Sequence, residues 1–90
     1  MTTWVASPRV LLRRLPDAIV VLPVDGDDAP TVLEGTAEEL WDLLAEPRTL
    51  GQLAGELAAR HQADPAVVAD DLRVALDDLV ARRLVEASPS

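Results

Sequence analysis

Ninety residues make one small domain, and a formal charge of −8, from sixteen acidic residues against eight arginines and no lysine, opposes any polyanionic partner unless the arginines gather on one face. The absence of cysteine excludes a disulfide frame, a thiol nucleophile and a thiolate metal cage. A chain this short holds a single core and no conventional deep cleft, so the composition points to a module that works with partners, its core built from Leu, Val and Ala because Trp4 and Trp41 are the only aromatic residues.

The first third reads as strands. "RVLLRRL" (Arg9 to Leu15) and "AIVVLPV" (Ala18 to Val24) are rich in branched apolar residues, and Pro16-Asp17 between them is a turn signal, which together predict a hairpin. "DGDDAP" (Asp25 to Pro30) is an exposed loop, and "TVLEG" (Thr31 to Gly35) a short third strand. Pro23 and Pro30 fall late in a strand and just before one, where a missing N–H is tolerated.

From Thr36 the period becomes helical. Thr36 with Glu39 has capping-box spacing, and Leu40, Trp41 and Leu44 share a face with Leu43 beside it, up to the stop at Pro47. Thr49 with Gln52 repeats that start, with a stripe of Leu50, Leu53, Ala54, Leu57 and Ala58 running to about His61. Asp64-Pro65 is an N-cap and first-turn pair opening a third helix to about Arg83, whose Val68, Leu72, Ala75, Leu76 and Leu79 share a face. In the tail "LVEASPS" only Leu84 and Val85 are expected to pack. The result is one domain over residues 1–90 with its core at about 9–86. Its fold class is α+β and winged helix-turn-helix-like: an N-terminal three-stranded antiparallel sheet followed by three helices.

Such a fold invites a DNA-reading interpretation, and "EPRTLGQLAGELAAR" (46–60) begins as many helix-turn-helix units do. The third helix argues against it: Asp64, Asp70, Asp71, Asp77 and Asp78 accompany a single Arg73, so carboxylates would face phosphates and base-reading donors are missing. The other arginines are scattered, and Arg13 and Arg14 point to opposite faces of a strand. Nor is there a catalytic constellation or a metal site. His61 stands at a helix end where a cation suits the dipole, the serines (Ser7, Ser88, Ser90) lie near the chain ends, and the glycines match no phosphate-cradling spacing. No apolar run approaches the roughly 20 residues of a membrane span, and the N-terminus lacks a basic segment leading into an apolar one, so a cytoplasmic location is expected.

One feature is left over. On the third helix Val67 and Val74 sit in line beside the core stripe, bracketed by Asp71 and Asp78. The short strand at Thr31, as the last of three, has an edge that an extended peptide could use as a template. The valines either cover the sheet or line a groove with that edge, and the residues alone leave both open.

The run from "LEGTAEELW" to "RRLVE" resembles the PqqD-like family, or RiPP recognition elements, over about Val10 to Glu86. The resemblance rests on Leu33, Thr36, Leu40 and Trp41 in combination, followed by the "PRTL" entry to the second helix and the "DP" start of the third. The sequence departs from the family pattern at Glu34, Ala37 and Arg83, where Asn, Gly and Gly are frequent. The resemblance implies a noncatalytic protein, without cofactor or metal, that binds the leader region of a ribosomally synthesised precursor peptide and delivers it to a separate maturation enzyme such as a leader peptidase, cyclase or radical enzyme. A lasso-peptide pathway is the setting by analogy. The leader would add as a strand, with Thr31, Val32 and Leu33 as backbone partners and Val67, Asp71, Val74 and Asp78 along the groove. The aspartates then predict a basic residue near the leader's anchors, and the opposite face, with Arg9 and Arg13, is the candidate enzyme side. The reading from a different class remains a winged-helix transcription regulator, which needs a basic surface.

Overall fold

Two antiparallel sheets share one core in the computed structural model, which describes residues 1–24 and 29–89. The described elements run β1 (Thr3–Ala6), β2 (Val10–Leu15), β3 (Ala18–Pro23), β4 (Thr31–Leu33), α1 (Thr36–Leu43), β5 (Arg48–Thr49), α2 (Leu50–His61), α3 (Pro65–Ala81) and β6 (Val85–Ser88). The expected architecture is present: β2, β3 and β4 form a sheet in that order, and three helices follow. Of the expected loop, Asp25 to Asp28 lie outside the described residues, while Ala29 and Pro30 are exposed.

The hairpin forms as its alternation dictates. On β3 Ile19 and Val21 are fully buried, and opposite them on β4 stand Leu33 and Thr31. Pro23 closes β3 beyond the reach of β4, so its missing N–H leaves no ladder bond unmade. The helices cover this sheet with the predicted stripes. Leu40, Trp41, Leu43 and Leu44 of the first, Leu53, Ala54, Leu57 and Ala58 of the second and Leu72, Leu76 and Leu79 of the third are all buried.

The second sheet, in the order β5-β1-β6, was not legible in the sequence. Its strands are, in that order, two, four and four residues long, and β1 pairs with segments far away in the chain: Trp4 faces Arg48 on one side and Ala87 on the other. Trp4 and Ala6 pack on the core, which therefore extends before residue 9, and Ser7 is buried at 8% exposure, its Oγ accepting from the Arg9 N–H at 3.1 Å. Leu84 and Val85 pack as expected, at 0% and 2% exposure, but the tail also continues through Ser88 as β6.

The helix ends correct three expectations. The box at Thr49 and Gln52 forms in both directions, and Asp64 caps α3 through the Ala66 N–H at 2.9 Å. Thr36, however, is already helical. The cap of α1 is Gly35, whose φ of 59° and ψ of −125° put it where L-residues are strongly disfavoured, so the strand at Thr31 stops at Leu33 rather than Gly35. Finally, α3 ends at Ala81, short of the expected Arg83. The Leu84 N–H donates to the Leu79 carbonyl and the Arg83 N–H to that of Val80, both at 3.0 Å, with Arg83 left-handed at φ 63°. This is a Schellman motif with arginine in the position that glycine fills best, which explains the physical cost of that departure from the family pattern. Replacing Arg83 by Gly is expected to raise stability by about 1 kcal/mol, or roughly 4–8 °C in Tm by thermal melting.

Candidate functional site

β4 owes its position to its neighbours on both sides: Pro30 precedes it and Gly35 turns the chain into α1. Only β3 pairs with it, so among the described residues its other edge meets no strand. Which groups face outward follows from the ladder. Val24 N–H donates to the Arg9 carbonyl at 2.9 Å, which makes the alternate residues Leu22, Val20 and Ala18 turn toward β2, and Ile19 and Val21 toward β4. Their partners Leu33 and Thr31 therefore direct their N–H and C=O groups inward. Val32 carries the outward pair. Of the three expected backbone partners, Val32 alone offers both its groups to an incoming strand, while Thr31 and Leu33 spend theirs on β3.

Along that edge runs an open groove of about 370 Å³. One wall is four consecutive residues, Pro30 to Leu33; Ala37 and Leu40 of α1 form the floor, and Ala75, Asp78 and Leu79 of α3 with Arg82 at its C-cap make the opposite wall. The small side chain of Ala75 leaves the space that a larger one would fill. Thr31, Val32, Leu33 and Asp78 thus come together. Asp71 lines a smaller neighbouring pocket of about 190 Å³ with Thr36, Leu57, His61, Val68 and Leu72. Val67 and Val74 are 57% and 73% exposed, so neither covers the sheet. Neither lines the groove or the smaller pocket: Val74 stands at the rim, immediately before Ala75, whereas Val67 lies about two turns earlier on the helix and is not brought to the groove.

Sequence reasoning missed Pro30, Ala37, Leu40, Ala75, Leu79 and Arg82 as lining residues. Helical spacing places Leu40, Ala75 and Leu79 on core stripes and says nothing of a groove, whereas Arg82 carries a readable signal. It stands four residues after Asp78, and its Nε donates to Asp78 Oδ2 at 2.9 Å. That pair is exposed and contributes little stability, but it neutralises the aspartate that lines the groove. No ion pair or hydrogen bond engages the Asp71 side chain among the described residues. His61 is not poised over a nucleophile: its Nε2 lies 2.6 Å from Glu39 Oε2, joining the end of α2 to α1. Arg14 likewise ties β2 to α1 through Asp42 at 2.7 Å. Arg9 and Arg13 do not share one cleft. Arg13 lines a shallow one on the outer sheet face with Leu11, Val20 and Leu22, and Arg9 lines another beside β6.

Asp70, Asp71, Asp77 and Asp78 are exposed on α3, so the helix that would enter a DNA groove presents four carboxylates. No group of three metal-ligating side chains comes together among the described residues, and none of their helices is long and apolar enough to cross a membrane.

No curated protein matches the chain. Among solved structures, TbiB1 in complex with the TbiA(beta) leader peptide superposes with a TM-score of 0.80 at 24% identity, covering 91% of this chain and 94% of that one, a match that establishes the shared fold. The family model described as Coenzyme PQQ synthesis protein D (PqqD) matches residues 19–85, from the central strand of the first sheet to the start of β6. With that span taking in the strand pair, the groove and all three helices, the chain belongs to the PqqD family.

Proposed function

We propose that this chain is a RiPP recognition element: it binds the leader region of a ribosomally synthesised precursor peptide as an added strand on β4 and presents it to separate maturation enzymes. The observation that carries the reading is the open β4 edge facing α3 across a groove, in a fold shared with a protein solved with a leader peptide bound. Strand addition at Val32 supplies main-chain hydrogen bonds, and the cleft over Ala37, Leu40, Ala75 and Leu79 takes alternate apolar side chains of the leader. Val74 extends that apolar surface along the helix. The protein acts by binding rather than catalysis, in the cytoplasm where its precursor is translated, and a leader peptidase, cyclase or radical enzyme is its second partner. A lasso-peptide pathway is one such setting.

The test is a titration of the domain with the leader half of a precursor encoded beside its gene, and in parallel with duplex DNA. Saturable leader binding without DNA binding is expected; the reverse restores the winged-helix regulator.

The groove's charge refines the leader's expected chemistry. Because Arg82 already balances Asp78, a basic leader residue pairs with Asp71. Asp71→Asn is expected to weaken leader binding by roughly threefold to fivefold at low salt, the scale of an exposed ion pair, and Asp78→Asn to change it less than twofold or so. Equal responses of the two variants in the same titration count against this assignment.

A further inference from the structure

An antiparallel sheet with one side in water alternates apolar residues inward with polar ones outward. The β2-β3-β4 sheet does not. β3 carries no polar residue, and its outward positions Val20 and Leu22 stand beside Arg13 and Leu11 of β2, with Val32 of β4 next to Val20. Leu11 is 61% exposed and Val32 is open as well, so this outer face is uncovered. A shallow cleft of about 170 Å³ runs over Leu11, Arg13, Val20 and Leu22 to Pro30. Pro30 also walls the leader groove, so the two surfaces meet at the start of β4. The register fixes what a leader adds to this face. Directly paired residues put their side chains on the same side of a sheet, and Arg13 pairs with Val20 and Val20 with Val32, a row across three strands. A leader added antiparallel to β4 pairs one residue with Val32, and that residue's side chain becomes the fourth member of the row. Its two neighbours point the other way, into the groove over Ala37, Leu40 and Ala75. The domain encloses the neighbours and displays the residue between them.

We propose that the outer face of this sheet is the docking surface for the maturation enzyme, and that the leader residue opposite Val32 completes it. The inference rests on the leader-binding reading above and names the surface that receives the second partner. Continuity with the leader edge selects the occupant. On the inner side a bound leader is closed in by α1 and α3, whose Ala37, Leu40, Ala75 and Leu79 line the groove. Its displayed side chain is reached from the outer face. A protein that lays an apolar patch across Val20, Val32 and that side chain buries more apolar area on a loaded domain than on an empty one, and so tells the two apart. A second copy of this chain is the poorer occupant, because it would cover the row with or without a leader and hide the residue on display. Specificity is thereby divided: the groove reads the alternate leader residues that point inward, and the enzyme reads the one between them.

The experiment uses the full-length chain, the leader peptide of the titration above and the purified maturation enzyme encoded beside its gene, with enzyme binding followed by interferometry on the empty and the leader-loaded domain. The enzyme is expected to bind the loaded domain about tenfold more tightly. Leu11→Asp and the shape-preserving Val20→Thr are expected to keep leader affinity within about twofold, which shows them folded, and to weaken the enzyme by roughly tenfold. An aspartate scan of the leader against the parent chain gives a readout that no folding defect can mimic. Two alternate positions lose domain binding, while the one between them keeps it within about threefold and loses enzyme binding by roughly tenfold. Enzyme affinity indifferent to both face variants, equal affinity for loaded and empty domain, no such middle position in the scan, or a parent dimer that Leu11→Asp dissociates each overturn the proposal and leave leader binding standing. A parent chain that takes up no leader overturns both readings.

Discussion

Val32→Pro is expected to cut leader binding by about thirtyfold or more while the domain stays folded. An added antiparallel strand exchanges two hydrogen bonds with the residue whose N–H and C=O face outward, each contributing about 1 kcal/mol net. Proline deletes the donor and puts its ring where the partner strand must lie, so both bonds are lost, about 2 kcal/mol in all. Folding tolerates the change because the Val32 N–H takes no part in the ladder to β3 and the side chain is 54% exposed. The control is Val32→Thr, which keeps the N–H and the branched shape and is expected to bind within about threefold of the parent. Anisotropy titrations with a labelled leader, paired with circular dichroism, decide it. A folded Val32→Pro variant with unchanged affinity removes strand addition on β4 from consideration.

The second large effect concerns the core rather than the site. Leu76 is 0% exposed at the centre of the apolar cluster. Its truncation to alanine is expected to cost about 3 kcal/mol, from lost burial plus an incompletely filled cavity. Against the roughly 5–15 kcal/mol that holds a domain folded, this lowers Tm by about 12–24 °C. Val74, two positions earlier on the same helix, is 73% exposed and supplies the contrast. Val74→Ala is expected to leave the urea midpoint nearly unchanged, within about 0.5 kcal/mol, and to weaken the leader instead. Thermal and urea melts of both variants test the assignment of core face and rim.

These contrasts show what the residues alone disclose. Local signals survived: the Thr49 box, the Asp64-Pro65 start and the apolar stripes of all three helices stand where periodicity placed them. The open edge at Thr31 and the outlying valines on α3 were legible because they rest on strand order and helical spacing. What failed was nonlocal or conformational. β1, β5 and β6 are too short to alternate visibly, and each is defined by a partner elsewhere in the chain. Thr36 had the right neighbour at Glu39, yet Gly35 had already taken the cap, because the sharp exit from β4 requires its backbone freedom. Ala75 packs against the core as its place in the stripe implies, and its second role in the groove wall was hidden because it depends on where β4 stands relative to α3.

The pairing of Thr3 with Ser88 across β1 and β6 brings the two ends of the fold side by side. A short flexible tether therefore closes the backbone into a loop, and the chain can be reopened at the exposed turn between Ala45 and Glu46 as a circular permutant. The same adjacency lets the whole unit be spliced into a surface loop of a larger enzyme, its entry and exit points close enough together to leave the host's own strands and helices in place.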